Sequence, residues 1–191
     1  MANYQRDVGP RKVTIKQVND MDFETFKDTF GEVIENTPLV AAAVWSYRPF
    51  RDLMSLQLAF TSFVRSDLCP QAKAGLVRCY PDLQFSGRGK LPGELSRESL
   101  SERTDAGLYE ITASEDQEMT ELNKQYRKKF CFPFVICVRE NNIQTILTNI
   151  RSRMRNEVAD EMDLTLKEIS KIACLRLKDL VEDKLCINSK L

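Results

Sequence analysis

The sequence predicts an all-α protein folded as one helical domain, and three observations predict it. Apolar residues recur at helical spacing almost throughout. Helix-start signals precede most of those stretches. The one strand-like run, Phe132-Pro133-Phe134-Val135-Ile136-Cys137-Val138, has no second strand to pair with, so it is expected as a buried extended segment or a helix start. The 191 residues suit a single domain that buries its own core.

In chain order, residues 1–12 form a polar arm, and the domain is expected over 13–186. Asp22 caps a helix from Phe23 that places Phe23, Phe26, Phe30, Val33 and Ile34 on one face. Thr37-Pro38 opens a short helix through Ala41–Trp45, which Arg48-Pro49-Phe50 ends. Leu53, Leu56, Phe60, Phe63 and Val64 mark the next helix, and Pro70 starts another that runs into Arg78-Cys79. From Asp82 to Gly93 the composition is that of a loop, the longest irregular segment. Helical spacing returns at Ser96–Ala106, and Gly107 ends it. Ser114-x-x-Gln117 reads as a capping box for a helix through Met119, Leu122 and Tyr126 toward Phe130. Two last helices are expected at 142–156 and 160–182.

Composition narrows the chemistry. Hydrophobic content of 42% with 29% charged residues fits a folded soluble chain and not a disordered one. Lys plus Arg equals Asp plus Glu at 28 each, so there is no global drive toward nucleic acid. There is no histidine and no CxxC among the six cysteines, which argues against a zinc site. The cysteines read as reduced, mostly buried thiols. The longest apolar run, residues 39–45, is too short to span a bilayer, and the N-terminus lacks the apolar core of a signal peptide. Residues 187–191 form a tail ending in Ser189-Lys190-Leu191, which matches the peroxisomal import signal; a peroxisomal location and an import receptor as partner are expected from it.

No P-loop, GxGxxG, GxSxG or HExxH occurs. Instead, several blocks in order resemble one family. Residues 26–50 read F-x3-FG-x3-E-x2-P-x2-AA-x2-W-x2-RPF; 78–83 read RCYPDL; Glu98, Glu102 and Ala106-Gly107-Leu108 give E-x3-E-x3-AGL. Residues 122–139 read LN-x2-Y-x2-KF-x-FPFVI-x2-R, and 168–177 read E-x2-KI-x2-LRL. Across roughly residues 14–185 the chain resembles OHCU decarboxylase, which acts on 2-oxo-4-hydroxy-4-carboxy-5-ureidoimidazoline in urate breakdown. The resemblance implies an all-α bundle, usually a homodimer, commonly peroxisomal in animals, that releases CO2 and gives (S)-allantoin with no metal or organic cofactor.

Such a reaction needs a cation to hold the carboxylate or ring carbonyl, and a placed acid/base to move a proton. The resemblance assigns the acid/base to a histidine in RC-H-PDL, supported by a glutamate and a glutamine in E-x3-EQ. Carried across, Glu102 matches the glutamate and Arg176 the substrate-binding arginine, while Phe134, Val135 and Ile136 match a pocket wall. Pro81 and Ser99 match pocket positions. Tyr80 stands where the family has histidine, Arg103 where it has glutamine, and Cys131 where a glycine precedes FPF. Two readings of Tyr80 stay open: a space-filling phenol that abolishes or weakens decarboxylation, or a general acid, or a phenolate activated by Arg103. Arg176 reads either as an anion-binding group or as half of a salt bridge to Glu102. The functional alternatives are accordingly a lyase and an inactive paralogue that binds an allantoin-like ligand or a urate-pathway partner.

Overall fold

A computed structural model of the chain describes residues 12–84, 99, 101–102 and 111–183. The arm through residue 11, the loop beyond Gln84, Arg103, Gly107, Cys186 and the terminal Ser189-Lys190-Leu191 lie outside the described residues. Everything described is helical or irregular, with one isolated parallel bridge between Val13 and Val181. Val13 N–H donates to Leu180 O (2.9 Å) and Glu182 N–H to Val13 O (2.9 Å), tying the two ends of the domain together.

The helices start where polar side chains satisfy their first N–H groups. A short α1 (Ile15–Asp20), for which the sequence reading names no helix, is opened by a Thr14/Gln17 capping box. α2 (Phe23–Phe30) is capped by Asp22, as expected, and buries Phe26 and Phe30. It stops four residues short of the expected end. Val33 and Ile34 are still buried, but on a turn that runs through Asn36 at φ 51°. The backbone released there is used elsewhere: Glu32 O accepts from Arg176, and Glu35 N–H donates to Tyr80 Oη. Gly31 ends α2 because a Cβ there would stand 2.7 Å from Lys27 O.

α3 (Pro38–Val44) opens with proline in its first turn and leads through Trp45–Tyr47 to a cis Arg48–Pro49 bond. Arg48 donates to Trp45 O, Asn19 O and Met21 O, so it pins this turn to the end of α1. α4 (Leu53–Ser62) continues as a π-helical turn over Phe63–Asp67, and α5 spans Pro70–Arg78. α6 (Ala113–Phe130) begins two residues earlier than expected. Thr112 and Glu115, not Ser114 and Gln117, make the capping box, with Glu115 Oε2 accepting from Thr112 N–H at 2.9 Å. α7 (Ile143–Arg153) and α8 (Val158–Leu180) complete the order. α8 is the spine: α4 lies along it, and Gln57 reaches across to Cys174 O (2.9 Å). Ser99, Ser101 and Glu102 are helical, as the sequence suggests. No helix among the described residues is long and apolar enough to cross a membrane.

Two expectations concerning particular residues are settled by burial and backbone. The thiols are not mostly buried: Cys69, Cys79 and Cys131 are exposed, Cys174 is half-buried, and only Cys137 among the described cysteines is buried. Cys69 and Cys79 flank the ends of α5 and Cys131 the end of α6, where side chains face outward. The FPFVIC run is buried and extended without a strand partner among the described residues, one of the two outcomes expected for it.

Cys131 also explains its own oddity. It terminates α6 in the left-handed region, φ 61° and ψ 21°, with its N–H donating to Arg127 O (2.9 Å). Glycine is the residue that adopts this conformation without a Cβ penalty. Cys131→Gly is therefore expected to stabilise the protein by about 0.5–1 kcal/mol, the left-handed cost relieved less the extra freedom of the unfolded chain. Thermal or urea unfolding of the two proteins measures it, and an unchanged or lowered midpoint contradicts this account of the cap.

Candidate functional site

The RCYPDL block is fixed residue by residue after α5. Arg78 Nε donates to Cys131 O (3.2 Å), Cys79 O accepts from Asn36 Nδ2 (3.1 Å), and Tyr80 N–H donates to Val77 O (3.2 Å). Asp82 pairs with Arg127 Nε at 2.6 Å, and Leu83 O accepts from the buried Asn123 Nδ2 at 2.7 Å. With its neighbours held on both sides, Tyr80 turns inward and is 6% exposed. The phenol faces a cleft formed where α8, the helical residues 99 and 101–102 and the 132–137 segment meet.

Of the nine residues singled out in the sequence, eight line this cleft: Tyr80 and Pro81, Ser99 and Glu102, Phe134, Val135 and Ile136, and Arg176. Arg103 lies outside the described residues. Arg176 is the electrostatic centre. Its Nε and Nη2 grip Glu102 through two oxygens at 2.9 and 3.0 Å, in the fork geometry that suits guanidinium and carboxylate. Nη2 also meets Ser99 Oγ (3.0 Å) and Glu35 Oε2 (2.9 Å), and Nη1 donates to Glu32 O (2.6 Å). Ser99 Oγ in turn donates to Glu35 Oε2 at 2.7 Å. The salt bridge to Glu102, one of two readings of Arg176, is thus present, and it is built into the cleft wall.

Glu35 is the site residue that sequence reasoning missed. It is 0% exposed, belongs to the E-x2-P stretch of the first block, and places a second carboxylate against the same guanidinium. The signal available was a glutamate that follows the apolar pair Val33-Ile34 just ahead of Pro38; nothing in its spacing tied it to Arg176, which lies far along the chain.

Protonation follows from this arrangement. Burial pushes the Tyr80 phenol well above its ordinary value near 10; the charge of Arg176 and the Glu35 N–H pull it down but do not offset that. At neutral pH burial therefore favours the neutral O–H; Arg103, the cation that the phenolate reading invokes, lies outside the described residues. For Arg176, burial works against the charged form, but the carboxylates of Glu102 and Glu35 outweigh it and hold the guanidinium protonated. The enclosed part of the cleft is only ≈ 40 Å³, against about 300–1,000 Å³ for typical small-molecule sites. A ring-sized ligand enters only if cleft side chains move. Among the described residues no cluster of His, Cys, Asp and Glu is arranged to hold a metal ion. A larger hollow of ≈ 590 Å³ gathers Lys16, Arg51 and Lys178 with Asp52, Glu182 and Asp183. Its charges balance, and Asp52 is spent on capping α4, so it has no comparable focus.

Comparison with known proteins adds the following. A family model described as OHCU decarboxylase matches residues 19–178. The chain is 44% identical over 168 residues to the 2-oxo-4-hydroxy-4-carboxy-5-ureidoimidazoline decarboxylase of Amia calva, covering 88% of this chain and 94% of that one. It is 40% identical over 166 residues to the protein of the same name from Xenopus laevis, covering 87% and 93%. Among solved structures, a crystal structure of (S)-allantoin synthase superposes with TM-score 0.69 at 21% identity, over 89% of this chain and 54% of that one. A crystal structure of OHCU decarboxylase in the presence of (S)-allantoin gives TM-score 0.62 at 21% identity, over 85% of this chain and 100% of that one. The structural matches establish the helical fold; the sequence relatives establish kinship.

The protonation state of Tyr80 is open to direct measurement. Ultraviolet titration of the native protein and of Tyr80→Phe is expected to coincide up to about pH 11, because the phenol removed is one that does not ionise in the ordinary range. The sign for stability follows. The unfolded chain releases this proton near pH 10 while the folded chain keeps it, so the group leaves stability unchanged below that pH and lowers it above. A tyrosine step near pH 10 missing from the variant contradicts the assignment.

Proposed function

The chain belongs to the OHCU decarboxylase family, and from that premise we propose that it is a lyase of urate degradation that converts OHCU to (S)-allantoin and CO2. The single observation that supports this reading best is the convergence of Tyr80, Ser99, Glu102 and Arg176 on one cleft walled by Phe134, Val135 and Ile136. In the proposed reaction the carboxylate leaves as CO2, its bonding pair stays on the ring, and a ring carbon takes a proton on one face. Arg176, kept charged in a buried site, stabilises the negative charge that develops on the ring. Glu102 and Ser99 hold the guanidinium in place. Tyr80 supplies the proton. Its Oη accepts the Glu35 N–H at 3.4 Å, which leaves its own O–H for the ligand. The apolar wall excludes water, so the proton arrives from the protein and with a defined hand.

A second reading is favoured by one observation. A phenol held well above its ordinary pKa is a much weaker acid than an imidazolium. The same cleft then serves a protein that binds an allantoin-like ligand, or a urate-pathway partner, without turnover.

The two readings part on product chirality. Purified protein supplied with freshly generated OHCU is expected to give optically active allantoin, followed by circular dichroism, faster than the spontaneous reaction. Racemic product at the spontaneous rate overturns the lyase and leaves the binder. Tyr80→Phe is expected to bring the rate down to that background. Tyr80→His is expected to raise turnover by about 10²-fold or more, the usual contribution of a placed general acid near its working pH.

The pH profile offers an independent check. With neither histidine nor an ionisable phenol in the cleft, kcat/KM is expected to stay level between about pH 6 and 9. Tyr80→His is expected to introduce a bend inside that window. A bend already present in the native protein points to a titrating group other than Tyr80.

A further inference from the structure

The pocket wall poses a problem of backbone chemistry. Residues 132–137 are buried and extended, yet no strand pairs with them among the described residues, and buried backbone groups need partners. Side chains supply them. Arg153 Nη1 donates to Val135 O at 2.9 Å, and Glu168 Oε2 accepts the Cys137 N–H at 2.9 Å. Asn141 Nδ2 donates to Cys137 O at 2.8 Å. The Arg153 guanidinium also lies 4.6 Å from the Phe134 ring centroid, so it touches the wall twice.

Both clamps are anchored on α8. Arg153, 4% exposed, bonds Glu161 Oε1 (2.8 Å) and Thr165 Oγ1 (3.0 Å); Glu161, 0% exposed, is held further by Tyr126 Oη and by Asn156 Nδ2 at 2.7 Å. Glu168 sits on α8 itself, with its other oxygen bonded to Lys171 Nζ at 2.7 Å. Glu168, Ile172 and Arg176 follow one another at intervals of four, so they share one face of that helix. Ile172 and Arg176 line the cleft, and Glu168 holds the end of the wall beside them. One rigid helix thus carries the guanidinium and the group that fixes how far from it the apolar wall stands.

We infer that Glu168 is a positioning residue, acting with Arg153 to hold the 134–137 wall at a set distance from Arg176 and so to determine which ligand the cleft accepts. The inference rests on the reading above that this cleft binds an allantoin-like ring. It assigns Glu168 no contact with that ring. Its carboxylate stands in for the missing strand partner, and the ligand sees only the result.

Full-length protein with Glu168→Ala or Glu168→Gln tests it through two readouts. The first is amide hydrogen exchange at Cys137, referenced to Leu56 in α4. The second is the affinity for (S)-allantoin by calorimetry, with KM and kcat on OHCU. Glu168→Ala is expected to speed exchange at Cys137 by about tenfold, the worth of one hydrogen bond, while Leu56 is unchanged. It is also expected to weaken allantoin and raise KM several-fold, with kcat affected less. Glu168→Gln, whose amide oxygen still accepts from Cys137 N–H, is expected to restore both. The inference is overturned if exchange at Cys137 is unaffected, if it rises equally at Leu56, or if a loosened wall leaves affinity and KM unchanged. Should Glu168→Ala fail to fold, Glu168→Leu serves instead. It keeps the bulk and helix preference of the side chain but cannot accept from Cys137 N–H, and the same outcomes decide. Wild-type protein that neither binds allantoin nor turns over OHCU sinks the function proposed above; the exchange comparison then upholds or overturns the clamp by itself.

Discussion

A buried guanidinium governs this protein. Arg176 is 3% exposed, and a charge at that depth is tolerated only when its N–H groups are paired. Its partners arrive from separate parts of the chain: Glu32 O and Glu35 from the turn after α2, Ser99 and Glu102 from helical residues between α5 and α6, with Arg176 itself on α8. The turn that follows α2 serves the same demand, because it presents Glu32 O and the Glu35 carboxylate to one guanidinium. Breaking such a pair by removing one member costs about 3–5 kcal/mol, so the centre of the cleft is at the same time a joint of the fold.

How much of this was legible beforehand depends on whether the determinant was local. Caps and prolines are local, and Asp22, Pro38 and Pro70 start helices where the residue types say they should. Where the reading slipped, a competing partner decided. Ser114 and Gln117 had the right types, but Thr112 and Glu115 satisfied the first turn of α6 two residues earlier. Val33 and Ile34 had helical spacing, but their backbone surroundings served Tyr80 and Arg176. The exposed cysteines were misjudged because residue type alone does not say which side of a helix end faces water.

The site divides in the same way. Family resemblance brought eight of the nine named residues to one cleft because it carries long-range information that periodicity lacks. Glu35 was invisible to both approaches, since its role depends on a partner on α8. The FPFVI stretch was recognised as unusual, a strand pattern in a helical chain. Its resolution needed coordinates, because the groups that replace a strand partner are an arginine at the end of α7 and a glutamate on α8. A lone strand in a helical protein is a demand for side-chain hydrogen bonds, and α8 meets it with Glu168.

Tyr80, which the resemblance sets where a histidine is expected, acquires a definite meaning in this setting. Tyr80 still accepts a hydrogen bond from Glu35 N–H and still offers a proton to the cleft, so the hydrogen-bonding pattern open to a histidine is largely kept. Responsiveness to pH is what changes. A histidine beside two carboxylates would titrate at or above neutrality, whereas a buried phenol near the same carboxylates is pushed away from neutrality by burial and by those charges alike. Arg176 and the Glu35 N–H oppose this, and Glu102 and Glu35 already share the charge of the guanidinium. A cation added to the cleft would therefore have to compete with two carboxylates before it acted on the phenol. Placing an imidazole at position 80 therefore supplies an acid that works near neutral pH more directly than adding charge around the tyrosine does.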